Sequence, residues 1–432
     1  MKTIINGNNS ANKILPQDRA VHEWYRFVLS FPPHLVRKYL ERFRLSPAQT
    51  VLDPFCGTGT TLVECKKRGI HSIGIEANPM AYYASRVKTN WTPDPDELVA
   101  KSWRLYQKVH AALQKEGIPD IPVFSGNGGN GENLRHLSQD QNHLILKNSI
   151  SPLPLHKALA LIEGINARSS EHVDHQRLAF AKAVVLSSSN LHFGPEVGVR
   201  KAKEDAPVLG PWFECVKSIA SDLIAFREKA DIRSEVICGD AREVHLYLEP
   251  RSVDFVFTSP PYPNEKDYTR TTRLESVLLG FMTSPSELRK HKQSLLRSNT
   301  RNVYKTDSDD EEVSGQQDIQ RIADEIENRR IQLGKTSGFE RLYSRLTKLY
   351  FGGMTRHFRE LRPILKPGAV LAYVVGDQAS YLRVLIRTGE LLESIAQSLG
   401  YEVIGRDLFR TRLATATKEY LREEVLLLRW RG

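Results

Sequence analysis

The sequence predicts an α/β protein whose core is a Rossmann-like, largely parallel sheet of seven strands with an inserted region. Residues 50–88 alternate strand, helix, strand and helix with short connections, which is the pattern of a parallel sheet. The alternation stops near residue 93 and returns at residue 234, so the segment between them is expected to leave the sheet. The chain ends in two further strands that favour a hairpin.

Each predicted element follows from a short residue pattern. Leu35, Tyr39 and Phe43 recur at helical spacing and predict a helix before the first strand. Short apolar runs bounded by glycine, proline or polar residues predict the strands. The predicted strands are 50–53, 71–76, 234–241, 252–261, 369–377, 401–409 and 423–430, and the main predicted helices are 60–68, 79–88, 96–115, 174–186, 339–362 and 383–399.

These elements divide the chain into one catalytic domain and two insertions. Residues 1–20 are rich in asparagine and predict a flexible N-terminal arm, while residues 21–92 and 234–432 are expected to form the catalytic domain. Residues 93–233 form an inserted region, and residues 283–338 form a charged insertion within the catalytic domain. The larger insertion is the candidate for target recognition, because it leaves the sheet near the end where functional loops lie. A helical insert that only supports the sheet is the alternative.

Composition and charge limit the classes of partner and compartment. The chain has 432 residues, of which 40% are hydrophobic and 26% charged, so a packed core is expected. Lysine and arginine number 61 against 51 acidic residues, and the net charge of +10 suits a polyanion such as nucleic acid. The four cysteines lack CxxC spacing, which argues against a zinc site and a disulfide framework. Without a signal peptide or an apolar run of about 18 residues, we expect a cytoplasmic protein and no membrane partner.

A glycine-rich turn, DPFCGTGTT at 53–61, follows the first strand and opens a helix. Gly57 and Gly59 permit a tight turn and a close approach of backbone N–H groups to a ligand. The turn lacks the lysine of a phosphate-binding loop, and Leu62 stands where the dinucleotide fingerprint has its third glycine. The pattern therefore favours S-adenosylmethionine, which has an amino-acid end and a nucleoside end, over a dinucleotide.

Carboxylates stand at or just after the ends of the three strands around this turn. Asp53 ends the first strand, Glu76 ends the second and Asp240 follows the third. A carboxylate at Glu76 can accept hydrogen bonds from both ribose hydroxyls of a nucleoside, and Asp240 or its neighbour can meet an adenine amino group. An ordinary strand-to-helix turn would explain the glycines alone, but the added carboxylates favour a ligand site.

The motif TSPPY at 258–262 ends the fourth strand. The pair DPFCGTGTT and TSPPY resembles the amino-methyltransferase family that modifies exocyclic amines of bases in DNA. In that family a motif of the form [DNS]-P-P-[YFW] ends the fourth strand, and a serine in its first place marks the N4-cytosine members. The resemblance implies a class I methyltransferase fold, S-adenosylmethionine as methyl donor and duplex DNA as substrate. Bacterial enzymes of this kind usually serve restriction–modification, with a cognate endonuclease, or act alone.

Two sets of site residues are predicted on these grounds. We assign the cofactor site to Asp53, Pro54, Phe55, Gly57, Gly59, Thr60, Glu76 and Asp240, and the catalytic site to Ser259, Pro260, Pro261 and Tyr262.

The chemistry of a base amine explains the Ser-Pro-Pro-Tyr motif. The lone pair of the cytosine amine is delocalised into the ring, which makes the nitrogen a poor nucleophile. The Ser259 hydroxyl and the Pro260 carbonyl can accept its two N–H groups and draw it toward tetrahedral geometry, while the prolines fix φ at about −65°. Tyr262 offers a ring on which a base extruded from the duplex can stack. An isolated SPPY would be only a proline-capped strand end, but the glycine turn elsewhere in the chain disfavours that interpretation.

Other activities share parts of this pattern. N6-adenine methylation uses the same motifs but prefers Asp or Asn where Ser259 stands, and many N4-cytosine enzymes carry the two motifs in the reverse order. Methylation of a guanine amine in transfer RNA uses a similar glycine turn, usually with an Asp in the catalytic motif and an added N-terminal domain. The intact motifs disfavour a catalytically silent DNA-binding partner. No cysteine follows a proline, which disfavours covalent C5-cytosine methylation.

Four further features have a functional and a structural interpretation. Asp377 in VVGDQ is a candidate for the base pocket or a plain strand-end turn. His22 and Trp24 are candidates to cover the methionine end of the cofactor, although a core aromatic cluster is favoured for Trp24. The basic stretch 288–305 predicts a grip on phosphates or, equally, a solvated helix. The acidic run 307–312 predicts a mobile surface loop.

Overall fold

A computed structural model of the chain describes residues 14–25, 30–120, 133–194, 196–264, 266–414 and 419–432. The first 13 residues, most of the predicted flexible arm, lie outside the described residues. In the part of the chain that is described, no helix combines the length and the apolar character needed to cross a membrane.

A single seven-stranded sheet forms the centre of the described structure and confirms the predicted strand count. Its strands are β1 (Thr50–Asp53), β2 (His71–Glu76), β5 (Ser234–Cys238), β6 (Val253–Thr258), β7 (Leu365–Gly376), β8 (Glu402–Leu413) and β9 (Tyr420–Arg429), while β3 (Leu191–Phe193) and β4 (Val197–Val199) pair separately. The order β5-β2-β1-β6-β7-β9-β8 is parallel except for β9, which runs antiparallel to both neighbours and forms the predicted hairpin with β8. Strand order reverses between β1 and β6, and α/β sheets bind ligands at such a switch point.

Helices cover both faces of the sheet, because its central strands are apolar on both sides. Val51, Phe255 and Phe257 pack against α1 on one face, whereas Leu52 and Val256 pack with α13 and α14 on the other. The helices are α1 (Pro33–Arg42), α2 (Thr60–Lys67), α3 (Pro79–Thr89), α4 (Pro95–Lys115), α5 (Gln139–Leu144), α6 (Pro152–Asn166), α7 (Val173–Ala183), α8 (Leu209–Ala225), α9 (Tyr268–Thr271), α10 (Arg273–Leu278), α11 (Pro285–Gln293), α12 (Gln317–Gln332), α13 (Tyr343–Leu361) and α14 (Thr388–Ser398).

The segment 93–233 is a helical layer that packs beside α3 and shares its hydrophobic core. Its helices α4, α6, α7 and α8 contact one another, and the small β3–β4 hairpin lies between α7 and α8 in the chain. Asp222 of α8 accepts hydrogen bonds from the backbone N–H of Val21 and the indole N–H of Trp24, at 2.7 Å each. The insertion is therefore joined to the N-terminal segment as well as to the sheet.

The charged segment 283–338 is fixed by ion pairs, and the predicted mobile surface loop at 307–312 is wrong. Asp309 is buried and forms an ion pair with the Arg242 guanidinium at 2.5 Å. The Arg297 guanidinium donates to both carboxylate oxygens of Asp307, at 2.9 and 2.8 Å. Because Arg297 is buried in this pair, it does not act as one of the phosphate-gripping cations predicted for the basic stretch.

The last helix before the hairpin begins later than predicted. The sequence pattern placed its start at residue 383, but α14 begins at Thr388. Leu382 and Arg383 have φ values of 54° and 67°, in the left-handed region, so the chain reverses there instead of entering a helix. This reversal lets Ile386 pair with Gln378 across an isolated antiparallel bridge.

Candidate active site

A cavity of about 500 Å³ opens at the carboxyl ends of β1, β2, β5 and β6. Both predicted groups of site residues meet in it, although the cofactor turn and the SPPY motif lie about two hundred residues apart in the chain. Asp53 and Gly59 do not line the cavity and lie beneath its wall. The predicted residues that line it are Pro54, Phe55, Gly57, Thr60, Glu76, Asp240, Ser259, Pro260, Pro261 and Tyr262.

The turn after β1 needs glycine for two reasons. Gly57 and Gly59 have φ values of 52° and 83°, a region that side chains rarely adopt. A Cβ atom on Gly59 would also lie 2.6 Å from the Ser85 Oγ of α3. The turn therefore packs closely against α3 while Gly57 remains at the cavity wall.

Asp53 supplies a buried carboxylate beneath the cavity. Its Oδ1 accepts hydrogen bonds from the Thr258 hydroxyl at 2.6 Å and the Phe55 backbone N–H at 3.2 Å. Its Oδ2 has no hydrogen-bond partner among the described residues. Burial raises the pKa of Asp53 to about 6. An unpaired carboxylate oxygen in this position is suited to a cationic or hydrogen-bond-donating ligand.

Glu76 ends β2 and connects the glycine turn to the start of α3. One carboxylate oxygen accepts the Gly57 backbone N–H at 2.8 Å, and the other accepts the Asn78 backbone N–H at 2.7 Å. Burial nevertheless raises the pKa of Glu76 to about 7. Since each carboxylate oxygen can accept more than one hydrogen bond, Glu76 retains acceptor capacity toward the cavity.

Asp240 lines the cavity, but its carboxylate is already paired. The Arg242 guanidinium donates to both oxygens at 2.5 to 3.1 Å, and the Arg242 backbone N–H donates to Oδ1 at 2.9 Å. Arg242 also contacts Asp309, so the charged insertion is attached directly to this wall of the cavity. The predicted contact of Asp240 with an adenine amino group would have to share this carboxylate with Arg242.

The SPPY motif faces β7, the strand next to β6. The Ser259 hydroxyl donates to the Val374 carbonyl at 3.0 Å, which leaves the oxygen lone pairs free to accept. The Tyr262 ring packs on the backbone of Gly376, where an added Cβ would lie 2.8 Å from Cε2. Burial raises the pKa of Tyr262, so its hydroxyl stays protonated near neutral pH.

Several residues that line the cavity were not found from the sequence. Lys266 follows SPPY closely, and burial lowers the pKa of its ammonium group. Arg410 of β8 donates to both carboxylate oxygens of Glu423 in β9, at 2.6 and 2.9 Å, and both residues line the cavity. Asn302, Gln378 and Arg412 line it as well. These residues come from segments far apart in the chain, and no short motif marks them.

Three functional candidates from the sequence lie outside the cavity. Asp377 is buried, and its carboxylate accepts from the Arg387 and Arg422 guanidinium groups at 2.7 and 2.9 Å. His22 is buried against Glu64, with 2.7 Å between Nε2 and Oε1. Trp24 belongs to the hydrophobic core, which confirms the favoured alternative, and neither it nor His22 covers the cofactor site.

The cavity fits S-adenosylmethionine in size and in chemistry. Its volume lies within the range of about 300 to 1,000 Å³ that is usual for small-molecule sites. Glu76 lines the cavity and suits the ribose hydroxyls, whereas Asp53 is fully buried behind the lining residues Pro54 and Phe55 and adds a carboxylate near the wall. The apolar ring of Phe55 at the cavity wall offers a surface for an adenine.

Comparison with known proteins is consistent with this geometry. A DNA methylase family model, N6_N4_Mtase, matches residues 4–86. The type II methyltransferase M.BsoBI of Geobacillus stearothermophilus is 26% identical over 415 residues, covering 90% of this chain and 80% of the relative. The type II methyltransferase M.AvaI of a Nostoc strain is 23% identical over 422 residues, covering 91% and 80%.

A third relative matches only part of the chain. The type II methyltransferase M.MjaII of Methanocaldococcus jannaschii is 40% identical over 68 residues, which cover 16% of this chain and 13% of that relative. The chain is thus similar to DNA methylases over residues 4–86 and to type II methyltransferases over most of its length. Together with the order of the sheet, this similarity supports the use of S-adenosylmethionine.

Proposed function

We propose that the protein is a site-specific DNA methyltransferase that transfers a methyl group from S-adenosylmethionine to the exocyclic N4 amine of cytosine. The observation that carries this proposal is the single cavity lined by both the glycine turn and Ser259–Tyr262. A methyl donor held by the turn and an amine held by the motif would share one enclosed space. Direct transfer from sulfonium to nitrogen requires such proximity. The carbon–sulfur bond breaks as the carbon–nitrogen bond forms, the demethylated thioether leaves, and the surplus amine proton passes to solvent.

On the cofactor side, the protein would bind and orient the donor. Glu76 would accept from the ribose hydroxyls, and the carboxylate of Asp53, buried behind the cavity wall, would favour the positive charge of the methionine ammonium. Gly57 allows the backbone of the turn to approach the ligand closely. The cofactor supplies the methyl group on a positively charged sulfur.

On the target side, the protein would prepare the amine. The Ser259 hydroxyl proton is directed to the Val374 carbonyl, so its oxygen is oriented to accept one amine N–H. The Pro260 carbonyl would accept the other, and Tyr262 would stack on the extruded base. The serine in first place in the motif is the reason to propose cytosine as the base, with N6-adenine as the alternative within the same chemistry.

Duplex DNA is the proposed substrate polymer. The net charge of +10 and the cation Lys266 at the cavity favour a phosphate backbone. Segment 93–233 is proposed to contribute target recognition, and a cognate restriction endonuclease is proposed as a functional partner. Neither proposal affects the assignment of the reaction.

The deciding experiment identifies the labelled nucleoside. Purified protein is incubated with tritiated S-adenosylmethionine and mixed-sequence duplex DNA or, in parallel, bulk RNA, and each polymer is digested to nucleosides. Label in N4-methyldeoxycytidine is the expected result. Label in N6-methyldeoxyadenosine would keep the cofactor and overturn the choice of base, and label in RNA alone would overturn the choice of polymer.

A variant tests the role of the motif serine. Ser259→Ala should lower the methyl-transfer rate by about 10- to 100-fold, because one acceptor for the amine is lost, while cofactor and DNA binding persist. Ser252→Ala is a matched control, since this hydroxyl also donates to a backbone carbonyl, that of Glu249 at 2.7 Å, but precedes the opposite end of β6. Full activity of Ser259→Ala would overturn the role given to the serine.

A further inference from the structure

Gln378 places an unpartnered amide in the proposed catalytic cavity. The residue is 3% exposed and lines the cavity, and its Nε2 has no hydrogen-bond partner among the described residues. A buried amide N–H without an acceptor costs free energy comparable to a lost hydrogen bond, so such groups are usually satisfied by an ordered water or a ligand. The sequence analysis singled out Asp377 in VVGDQ and gave no role to Gln378, the last residue of that stretch.

The backbone of Gln378 is held in place. Its N–H donates to the Ile386 carbonyl at 3.0 Å, and its carbonyl accepts the Ile386 N–H at 2.7 Å. Its Oε1 lies 3.5 Å from the Ser380 hydroxyl, a long and weak contact, while its Nε2 has no partner among the described residues. The fixed backbone therefore places an amide with a free N–H donor at the cavity.

The position of Gln378 relates it to the target side of the cavity. In an extended chain, alternate residues face the same side. Val374 accepts the Ser259 hydroxyl and lines the cavity, and Gly376 lies against the Tyr262 ring. Gln378 continues this alternation, whereas Asp377 points away and pairs with arginines. The amide therefore extends the surface formed by Ser259 and Tyr262.

We infer that Gln378 is a base-reading residue that donates a hydrogen bond from Nε2 to the ring nitrogen beside the target amine. In cytosine this acceptor is N3, next to the carbon that carries the amine. Ser259 and Pro260 would hold the two amine hydrogens, and Gln378 would hold the adjacent ring edge. A thymine, which carries N–H at N3, would face a second donor there and be rejected.

This inference rests on the proposed function and deepens it. The chemical reason is the polarity of the base edge: a site built to donate toward a ring nitrogen discriminates against a base that cannot accept. Three fixed contacts would also define the plane of the base and so the direction of the amine lone pair. Gln378 would thus affect both the choice of base and the rate.

The main test replaces the hydrogen-bond donor of the Gln378 side chain by an acceptor while keeping the shape of the side chain. Gln378→Glu replaces the N–H donor by a carboxylate oxygen and should lower kcat/KM for duplex DNA by about 100-fold, and Gln378→Ala should lower it by about 10-fold. The dissociation constant for S-adenosylmethionine should change by less than about twofold in both. Gln397→Glu, at an exposed position in α14, is the matched control and should leave kcat/KM unchanged.

A substrate analogue tests the contact itself. Once the labelled site is mapped, its cytosine is replaced by 3-deazacytosine, which keeps the amine but lacks the ring acceptor. If Gln378 donates to N3, the Gln378→Ala substitution should cost about 10-fold with cytosine and less than about twofold with the analogue. Equal losses with the two bases would overturn the inference.

The outcomes separate this inference from the function on which it rests. Activity of the wild-type protein on unmodified DNA reports on the proposed function alone, while the ratio of variant to wild type reports on Gln378. Retention of wild-type kcat/KM by Gln378→Glu would overturn the inference in an active enzyme. A weakened cofactor affinity in Gln378→Glu would also overturn it, because the amide would then serve the cofactor. Thermal unfolding of each variant identifies any loss that is merely structural.

Discussion

The proposed cofactor side and the proposed target side of the cavity are built in different ways. The proposed cofactor side uses Asp53, Gly57 and Glu76, which lie within one strand–helix–strand unit. Backbone N–H groups of that unit donate to both carboxylates, and one side chain from outside it, the Thr258 hydroxyl, also donates to Asp53. The target side combines Ser259–Tyr262 with Gln378, which follows a different strand. A binding site made by local backbone can be recognised in a short sequence, whereas one assembled from distant side chains cannot.

The supporting contacts differ in the same way. Behind the glycine turn, Gly59 packs directly on α3, and this close backbone contact positions the turn. On the other walls, Arg242 with Asp309 and Arg410 with Glu423 hold segments that are distant or lie on neighbouring strands. Buried ion pairs are sensitive to the loss of one partner, because the other charge is left uncompensated. We therefore expect substitutions on the two sides to separate into effects on cofactor binding and effects on base binding.

The largest effect is expected from the cofactor side. Asp53→Asn removes the charge beneath the cavity while keeping the shape of the side chain. It should raise the dissociation constant for S-adenosylmethionine by about 100-fold, since a charge-assisted hydrogen bond in a buried site is worth about 2 to 3 kcal/mol. Equilibrium binding of the labelled cofactor measures this directly.

The control for this variant lies at the opposite end of the same sheet. Asp254 in β6 accepts the Thr50 backbone N–H at 2.9 Å and pairs with Lys366 at 2.7 Å, so Asp254→Asn removes a comparable carboxylate away from the cavity. Cofactor affinity should stay within about twofold in this control. If both variants bound the cofactor as the wild type does, Asp53 would have no role in the cofactor site.

A smaller effect, on kcat/KM for DNA and not on cofactor affinity, is expected from a substitution on the target side. In Gly376→Ala the new Cβ would lie 2.8 Å from Tyr262 Cε2 and 3.3 Å from Glu423 Cγ, so the ring must shift. An overpacking cost of about 2 kcal/mol corresponds to a loss of about 30-fold in kcat/KM for DNA, with cofactor affinity nearly unchanged. Steady-state kinetics at varied DNA concentration measure kcat/KM, and a separate titration measures the affinity for the cofactor.

Gly315→Ala provides the matched glycine control. Gly315 lies just before α12, outside segment 93–233, and no atom lies within 4 Å of the position of an added Cβ. Its substitution should leave both kcat/KM and cofactor affinity within about twofold of the wild type. Loss of cofactor affinity in Gly376→Ala would mean that the two sides of the cavity are not independent.

The same division explains what the sequence could predict. The strands, their hairpin and the glycine turn were predicted because periodicity, glycine positions and short connections are local properties. At the end of β7 the sequence offered Asp377 either as a base-pocket residue or as a plain strand-end turn, whereas the residue that lines the cavity is the next one, Gln378. Which of two adjacent residues faces the cavity depends on the register of β7 with β6 and β9, which local sequence does not contain.

The charged insertion shows a second limit on what the sequence could predict, the burial of charged residues. The acidic run at 307–312 has the composition of a solvated loop, but Arg242, Arg345 and Arg359 each bind a carboxylate in it. Of these, only Asp309 becomes buried, and it does so against an arginine 67 residues earlier in the chain. Charge patterning along the sequence indicates exposure only when no distant opposite charge meets it in the fold.

The smallest predicted effect is a pH dependence on the cofactor side. Burial raises the pKa of Glu76 to about 7 and that of Asp53 to about 6, above their ordinary values, so the free protein retains protons on them that an unfolded chain would lose. Their contribution to stability is therefore fully present below about pH 4 and is lost as the pH rises toward 7. Cofactor binding requires the ionised carboxylates, so the affinity for the cofactor should increase as the pH rises.

If S-adenosylmethionine binds only when Glu76 is ionised, a pKa of about 7 implies an affinity about tenfold weaker at pH 6 than at pH 8. Binding near neutral pH should then release a proton, so the heat of binding should depend on the ionisation enthalpy of the buffer. In Glu76→Gln the affinity should be lower overall, and most of this pH dependence should disappear. An affinity that is constant from pH 6 to pH 8 in the wild type would mean that the Gly57 and Asn78 N–H groups keep Glu76 ionised throughout. The backbone N–H donors of the turn and of the start of α3 would then offset the effect of burial on the pKa of Glu76, even when no ligand is bound.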